Sequence, residues 1–320
     1  MRCNIQCLVL VVLIVLSGGL NVQAQQTPAT AINYYQRGLE KCEKGDLDGA
    51  IDDFTRAIEI SSHLASSKRT STTFWQNTNR FNAASDADSI TVIDPFTAKA
   101  YTNRGVALYQ KGDLDAALTD FNHALQINPG LAGAYLNRGA AKRSKGDLKG
   151  ALADFNKALA IEPSLTEAYN NRGILRQGFG DVEGALADLD QAIALNSRLA
   201  EPYYHRGYIR IDQRDFDGAL ADFNRAIQLK PEMAWAYQGR GTTRMNTGDL
   251  PGALTDFQRA LELNPDLVPA YINRGLTLLL QGKDAEAQRD FDKCLTLAPG
   301  MKADLEHRIQ LAKELRPAPQ

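Results

Sequence analysis

An Arg-Gly pair recurs with its glycine at Gly105, Gly139, Gly173, Gly207, Gly241 and Gly275, and every step is 34 residues. A further copy stands at Gly38, one period plus 33 residues upstream of Gly105. A fixed period of this length is the sign of one supersecondary unit repeated along the chain. One such unit cannot enclose an apolar core, so each must lay its apolar faces on the next. The period therefore points to a row of stacked, mutually dependent units.

With Ala98 as position 1, the spacing of Tyr101, Gly105 and Leu108 predicts a helix A over 98–111. Lys111–Asp113 reads as a turn, with Asp113 as the N-cap of helix B. Helix B carries Ala117, Phe121 and Ala124 on one face, and Pro129 closes the unit. Gly105 and Ala117 are small where the two helices must cross closely, since a larger side chain would push them apart. Tyr at position 4 and Phe at position 24 supply the bulk. In the unit starting at 166, Leu189 replaces the phenylalanine and Ser197 the closing proline. That unit is expected to fold with a looser exit turn.

Position 7 is arginine and position 23 aspartate in every unit: Arg37/Asp53, Arg104/Asp120, Arg138/Asp154, Arg172/Asp188, Arg206/Asp222, Arg240/Asp256 and Arg274/Asp290. Keeping both signs together predicts a partly buried, bidentate bridge repeated along the stack. The alternative is an arginine ladder facing a ligand.

Between the first unit (31–64) and the six in register (98–301) lies 65–97, rich in Ser, Thr and Asn. It has neither the Arg-Gly pair nor the Gly-Asp turn, which favours a loop inserted near the end of helix B over a decayed repeat. Phe74, Trp75 and Phe81 either pin this segment to the repeats or form a docking patch. Residues 302–315 read as an amphipathic capping helix, and 316–320 as a disordered tail.

Residues 1–24 have another character. Arg2, the apolar run Cys7–Leu16, then Val22 and Ala24 have the layout of a cleavable secretory signal, with 25–30 a short lead. The apolar run is too short for a confident membrane span, so an uncleaved anchor is the minor alternative. The mature chain is expected to be exported, periplasmic or secreted, and not inserted in a membrane. Cys42 and Cys294 sit in opposite end repeats and are expected to be free thiols. The formal net charge of -2 leaves no footprint for nucleic acid.

No catalytic motif appears. His63, His123, His205 and His307 are assigned to a loop, a helix B, a helix A and the cap, too dispersed for a metal site. The chain is expected not to be an enzyme and to need no cofactor.

The period and the wording AYxNRG resemble the tetratricopeptide-repeat family over residues 31–301, apart from the interruption. The resemblance implies an all-α, right-handed superhelical solenoid of antiparallel helix pairs. It also implies a concave face lined by positions 2, 5, 6, 9, 12 and 13 of helix A. Position 6 carries Asn103, Asn137, Asn171 and Asn273. This is similar to the asparagine ladder with which O-linked N-acetylglucosamine transferases hold a peptide backbone, since an amide both donates and accepts hydrogen bonds. The other reading is solvent-facing asparagine in common repeat wording. The ladder breaks at His205 and Gly239, where Tyr204, Tyr208 and Trp235 take groove positions, with Met245 nearby. Together these imply one exposed aromatic patch, although packing between repeats can claim Tyr208. Family members that clamp a C-terminal carboxylate place Asn at position 9, and no unit here does.

The expected function is an exported scaffold that binds a protein or peptide partner in its groove and supports an envelope or secreted complex. The alternative is a structural or regulatory subunit with no peptide in the groove. N-terminal sequencing of the exported protein is expected to begin at Gln25. A membrane-bound product that retains Met1 would contradict the cleavable signal.

Overall fold

A computed structural model describes residues 28–78 and 95–315. The expected signal, Phe81 and the tail lie outside these residues. Among the described residues all regular structure is helical. The chain divides into two compact units, 1–168 and 169–320. The first contains α1 (Pro28–Lys44), α2 (Leu47–Thr78), α3 (Pro95–Lys111), α4 (Leu114–Ile127), α5 (Ala132–Ser144) and α6 (Leu148–Ile161). The division falls inside α7 (Thr166–Gly178). The second continues with α8 (Val182–Leu195), α9 (Ala200–Asp212), α10 (Phe216–Leu229), α11 (Ala234–Asn246) and α12 (Leu250–Leu263). It ends with α13 (Val268–Leu280), α14 (Asp284–Leu297), a short 3-10 turn at Pro299–Met301 and α15 (Lys302–Leu315). Odd-numbered helices up to α13 are the A helices of repeats 1–7, and even-numbered ones to α14 are their B helices.

The turn between A and B is made by backbone conformation and one carboxylate. Gly112, Gly146, Gly180 and Gly248 take φ values of 82–87°, the left-handed region open to glycine. In repeat 3 the Gly146 N–H donates to the Arg143 carbonyl at 3.0 Å and the Asp147 N–H to the Lys142 carbonyl at 2.9 Å. This is the paired closure expected of a left-handed helix C-terminus. Asp147 then caps α6, accepting from the Gly150 N–H at 2.9 Å. Repeat 5 departs from the pattern, because Arg214 occupies the left-handed position at φ 62°.

Two expectations fail at the ends of B helices. The exit turn at Ser197 is no looser than the others: the Asn196 N–H reaches the Ala192 carbonyl at 2.9 Å and Leu199 reaches Asn196 at 3.4 Å, as Leu131 does Asn128. Backbone closure and the Asn196 side chain, which accepts from Arg198 N–H at 3.0 Å, define this turn without the proline. In repeat 1, α2 runs on to Thr78, so the first part of the expected loop continues helix B, and His63 is helical. The side chains of Phe74 and Trp75 lie outside the described residues.

In every repeat but the fourth, where Leu189 stands in, the A–B crossing is set by a ring against a missing side chain. A Cβ on Gly105, Gly139 or Gly241 would lie 2.7 Å from Cε1 of Phe121, Phe155 or Phe257. Those phenylalanines are fully buried, as are Ala117, Ala151 and Ala253 beside them. No larger residue fits without separating the helices.

The Arg–Asp pairs are bridges, and they do more than the sequence implied. In repeats 2–7 the arginine fork meets both oxygens of its own repeat's aspartate, with Nε and Nη2 at 2.6–2.9 Å. Arg37 meets Asp53 in the same way. In repeats 2, 3, 5, 6 and 7 the third nitrogen turns outward to the preceding repeat. Arg138 Nη1 donates to Asn122 at 2.8 Å, Arg206 to Asp190 at 2.6 Å, and Arg240 to Asn224 at 2.7 Å. Arg104 Nη1 reaches Thr55 at 2.9 Å in the same register. Each guanidinium also lies over the position-4 tyrosine of its own helix, at 4.8 Å for Tyr34 and 5.3–5.7 Å elsewhere. These contacts account for the arginines without a ligand.

A second cation was overlooked. Lys142 meets Asp154 at 2.8 Å, Arg176 meets Asp188 at 2.9 Å, and Arg210 and Arg244 meet Asp222 and Asp256 at 2.7 and 2.8 Å. Lys41 does the same for Asp53, at 3.0 Å. The Arg37 hydrogen bonds, aided by Lys41, hold the Asp53 carboxyl below its ordinary value despite its burial. Repeats 2 and 7 have Leu108 and Leu278 at that position, so Asp120 and Asp290 rely on one cation each.

Removing one partner of a buried pair strands the other charge. Arg104→Ala is therefore expected to cost about 3 kcal/mol in urea melts. Arg138→Ala is expected to cost about 1–2 kcal/mol, because Lys142 remains on Asp154. Exposed Lys149→Ala should stay within about 0.5 kcal/mol of the parent. Equal losses for the two arginines would show that the second cation contributes nothing.

Candidate polypeptide-binding face

Consecutive A helices touch one another, α1–α3 and α3–α5 in the first unit and α9–α11 and α11–α13 in the second. No comparable contact joins consecutive B helices within either unit. The A layer is therefore the tighter, inner layer of each unit, and side chains aimed along its seams line the inner face. Observed bonds place positions 5, 6, 9, 12 and 13 there. Asn103 Nδ2 donates to the Tyr35 hydroxyl at 2.8 Å, and the Tyr109 and Ser144 hydroxyls meet at 3.1 Å.

The asparagines lie on this face but are partly engaged by the chain itself. Besides the Asn103 bond, Asn137 Nδ2 donates to the Gly133 carbonyl at 2.9 Å. In the second unit Asn273 Nδ2 donates to Thr242 Oγ1 at 3.0 Å, and Asn171 is buried. Two of these bonds join neighbouring A helices, which simple solvent exposure would not do. The amides of Asn103, Asn137 and Asn273 each retain another N–H and acceptor capacity. Beside Asn171, the Asn170 side-chain oxygen is buried with no hydrogen-bond partner. Position 5 carries no recurring asparagine, since it reads Tyr35, Thr102, Leu136, Asn170, Tyr204, Gln238 and Ile272, so the sequence did not single it out.

The aromatic residues do not form one patch. Tyr204 and Tyr208 meet edge to face at 5.1 Å, and Tyr208 packs on the Phe223 ring at 5.2 Å. His205 lies 4.7 Å from Tyr204. Trp235 is 43% exposed, and among the described ring contacts none joins it to either tyrosine. The Tyr208 hydroxyl donates to Gln238 Oε1, and Gln238 Nε2 donates to Thr242 Oγ1 at 3.0 Å. A polar chain thus runs Tyr208–Gln238–Thr242–Asn273 across three A helices. Burial pushes the Tyr208 phenol far above its ordinary pKa and that of Tyr204 up to about 12. Tyr208 is thus a packing residue, Tyr204 a half-buried one, and Trp235 the exposed member.

This packing explains why the ladder breaks at Gly239. In most repeats the phenylalanine edge faces the position-8 glycine. Phe223 instead presents its tip to Gly207, with Cζ 2.9 Å from a Cβ built there, while Cε1 would stand 2.4 Å from a Cβ on Gly239. Tyr208 fills the space beside the ring, and Gly239 leaves room for the ring on the next helix.

Among the described residues no group of His, Cys, Asp or Glu could hold a metal ion, and no helix is long and apolar enough to cross a membrane. Stacked helix pairs whose A helices form an inner layer within each unit are the architecture of a protein-interaction module. Tetratricopeptide repeat models match residues 98–131, 200–233 and 268–301, and a TPR repeat model matches 139–178 and 241–282. These matches span more than half of the chain, which belongs to the tetratricopeptide-repeat family. The heat shock protein STI1 of Saccharomyces cerevisiae is 35% identical over 100 residues, covering 30% of this chain and 17% of the yeast protein. The chain therefore spans less than a fifth of the length of that curated relative. A tetratricopeptide repeat protein of Parabacteroides merdae superposes with a TM-score of 0.58 at 20% identity, covering 88% of this chain and 98% of that one. Pseudomonas aeruginosa pilF does so with a TM-score of 0.57 at 17% identity, over 63% and 92%. At these identities the fold is what is shared.

Gly239→Ala is expected to destabilise the protein by about 1–3 kcal/mol, because Phe223 has to leave its place. Trimming Tyr208 should reopen the space used by the other phenylalanines. In a Tyr208→Ala background the same change is expected to cost at least about 1 kcal/mol less. Thermal melts of the four proteins measure the coupling, and strict additivity would separate the two sites.

Proposed function

We propose that this protein is an exported scaffold that holds a polypeptide partner on the inner face of its repeats and supports an envelope or secreted complex. The observation that carries the binding part is the inner A-helix face. It offers half-used asparagine amides, and the resemblance to the family adds the exposed Trp235 indole, at position 2 of its repeat. Amides suit an extended backbone without demanding a side-chain sequence, and an exposed indole is a strong anchor. Export rests on the order of charge, apolar run and small residues in 1–24. The asparagine bonds made within the chain favour a second reading, a structural subunit whose inner face stays empty.

A partner recovered from the exporting compartment separates the two. Trp235→Ala is expected to weaken its binding about thirtyfold, the effect of losing about 2 kcal/mol. The melting midpoint should not move, since the ring is exposed. Asn137→Ala should cost about 0.5–1.5 kcal/mol of affinity, the worth of one hydrogen bond. Unchanged affinity in both variants would favour the structural subunit.

A further inference from the structure

The inner face of the second unit has a charge character of its own. From Asn170 to Leu280, positions 2, 5, 6, 9, 12 and 13 of the A helices hold no lysine and no arginine. The same positions hold two carboxylates, Glu201 and Asp212. Between these lie Tyr204, Ile211 and Met245, with Leu276 beyond, all partly exposed. Every cation that the repeat pattern supplies nearby is turned away to the buried aspartates: Arg206 and Arg210 to Asp222, and Arg240 and Arg244 to Asp256.

The two carboxylates differ. Glu201 is already met by Lys230 at 3.3 Å. Asp212 is exposed and makes no ion pair among the described residues. It is the last residue of α9, where the carbonyl ends of the helix already concentrate negative charge. A carboxylate there raises the negative potential and is best relieved by a cation from outside. Arg214, two residues on, leaves the helix in the left-handed conformation and forms no bridge back to it. The groove neighbours in the same register, Gln177 and Gly178 on α7 and Met245 and Asn246 on α11, are uncharged. At the other end of the groove the exposed Trp235 ring adds a face that attracts cations. Glu201 and Asp212 lie eleven residues apart on one helix, about 16 Å, so an extended segment of a few residues spans the apolar stretch between them.

We infer that the second unit's inner face takes an extended polypeptide segment of apolar residues carrying a lysine or arginine, whose cation meets Asp212, and that it disfavours acidic segments and free carboxylate ends. This names the class of ligand for the face proposed above and rests on that reading. Charge complementarity of this kind sets selectivity more than raw affinity.

The probe is a random peptide library displayed on phage, selected against the whole protein, against Asp212→Lys and against Trp235→Ala. Peptides recovered on the parent, but not on Trp235→Ala, are expected to carry Lys or Arg among apolar residues. They should outnumber those with Asp or Glu at that place by about fivefold, the preference an exposed ion pair supports. Selection on Asp212→Lys should reverse the bias, with an unchanged melting curve because the site is exposed. The bias should fade at high salt. Trp235-dependent binders with no charge bias, or with one that Asp212→Lys leaves intact, would overturn this inference while leaving the groove reading standing. No Trp235-dependent binders at all would overturn both.

Discussion

A buried aspartate in each repeat is the constraint on which the rest of the stack depends. A carboxylate taken out of water costs several kcal/mol unless charge and hydrogen bonds surround it. The position-7 arginine meets that need with two nitrogens and uses the third to grip the preceding repeat, as Arg138 does with Asn122. The net stabilisation from such a pair is small, because desolvation offsets attraction. Its value lies in geometry. A planar fork is satisfied at one distance and one angle, so each repeat sets the register of its neighbour while the apolar faces alone would tolerate sliding. Tyrosine at position 4 lies flat against the same guanidinium and limits its other rotamers.

Satisfying those charges on the helix-pair interior leaves the inner face with a different chemistry. Arg210 and Arg244 point to Asp222 and Asp256, and no lysine or arginine stands at the inner-face positions of the A helices from Asn170 to Leu280. The seam between A helices is then closed by neutral hydrogen bonds, of which the Tyr208–Gln238–Thr242–Asn273 chain is the longest. The face is firm without cations of its own at these positions, and its selectivity falls to the few groups that the framework does not use: Trp235 and Asp212.

Much of the fold was legible in the 34-residue period, since glycine, alanine and phenylalanine recur where two helices cross. The Arg–Asp bridges were legible for the same reason. The second cation was visible in Lys41, Lys142, Arg176, Arg210 and Arg244, but two leucines in the series hid it. Other features depend on three-dimensional neighbours and left no pattern to read. Asn103 and Asn273 bond to the next helix because of where a hydroxyl falls, at Tyr35 and Thr242. The extension of α2 to Thr78 runs through Ser- and Thr-rich chain with little helical periodicity. The break at Gly239 looked like a gap in a ladder, and it is the footprint of a ring rotated on another helix.

That rotated ring has a consequence for how such a chain can be cut and lengthened. Repeat arrays grow and shrink by unequal crossing-over, which works when each period carries all of its own parts. Phe223 breaks that independence, because a ring encoded in repeat 5 occupies space that only repeat 6 leaves open. A duplication that set a second copy of repeat 5 after the first would place His205 where the ring needs glycine. One that set repeat 6 after another repeat would leave a vacancy at its glycine. The two repeats are inherited as a pair, and the pair bears the half-buried tyrosine, the exposed indole and the unpaired carboxylate of the inner face.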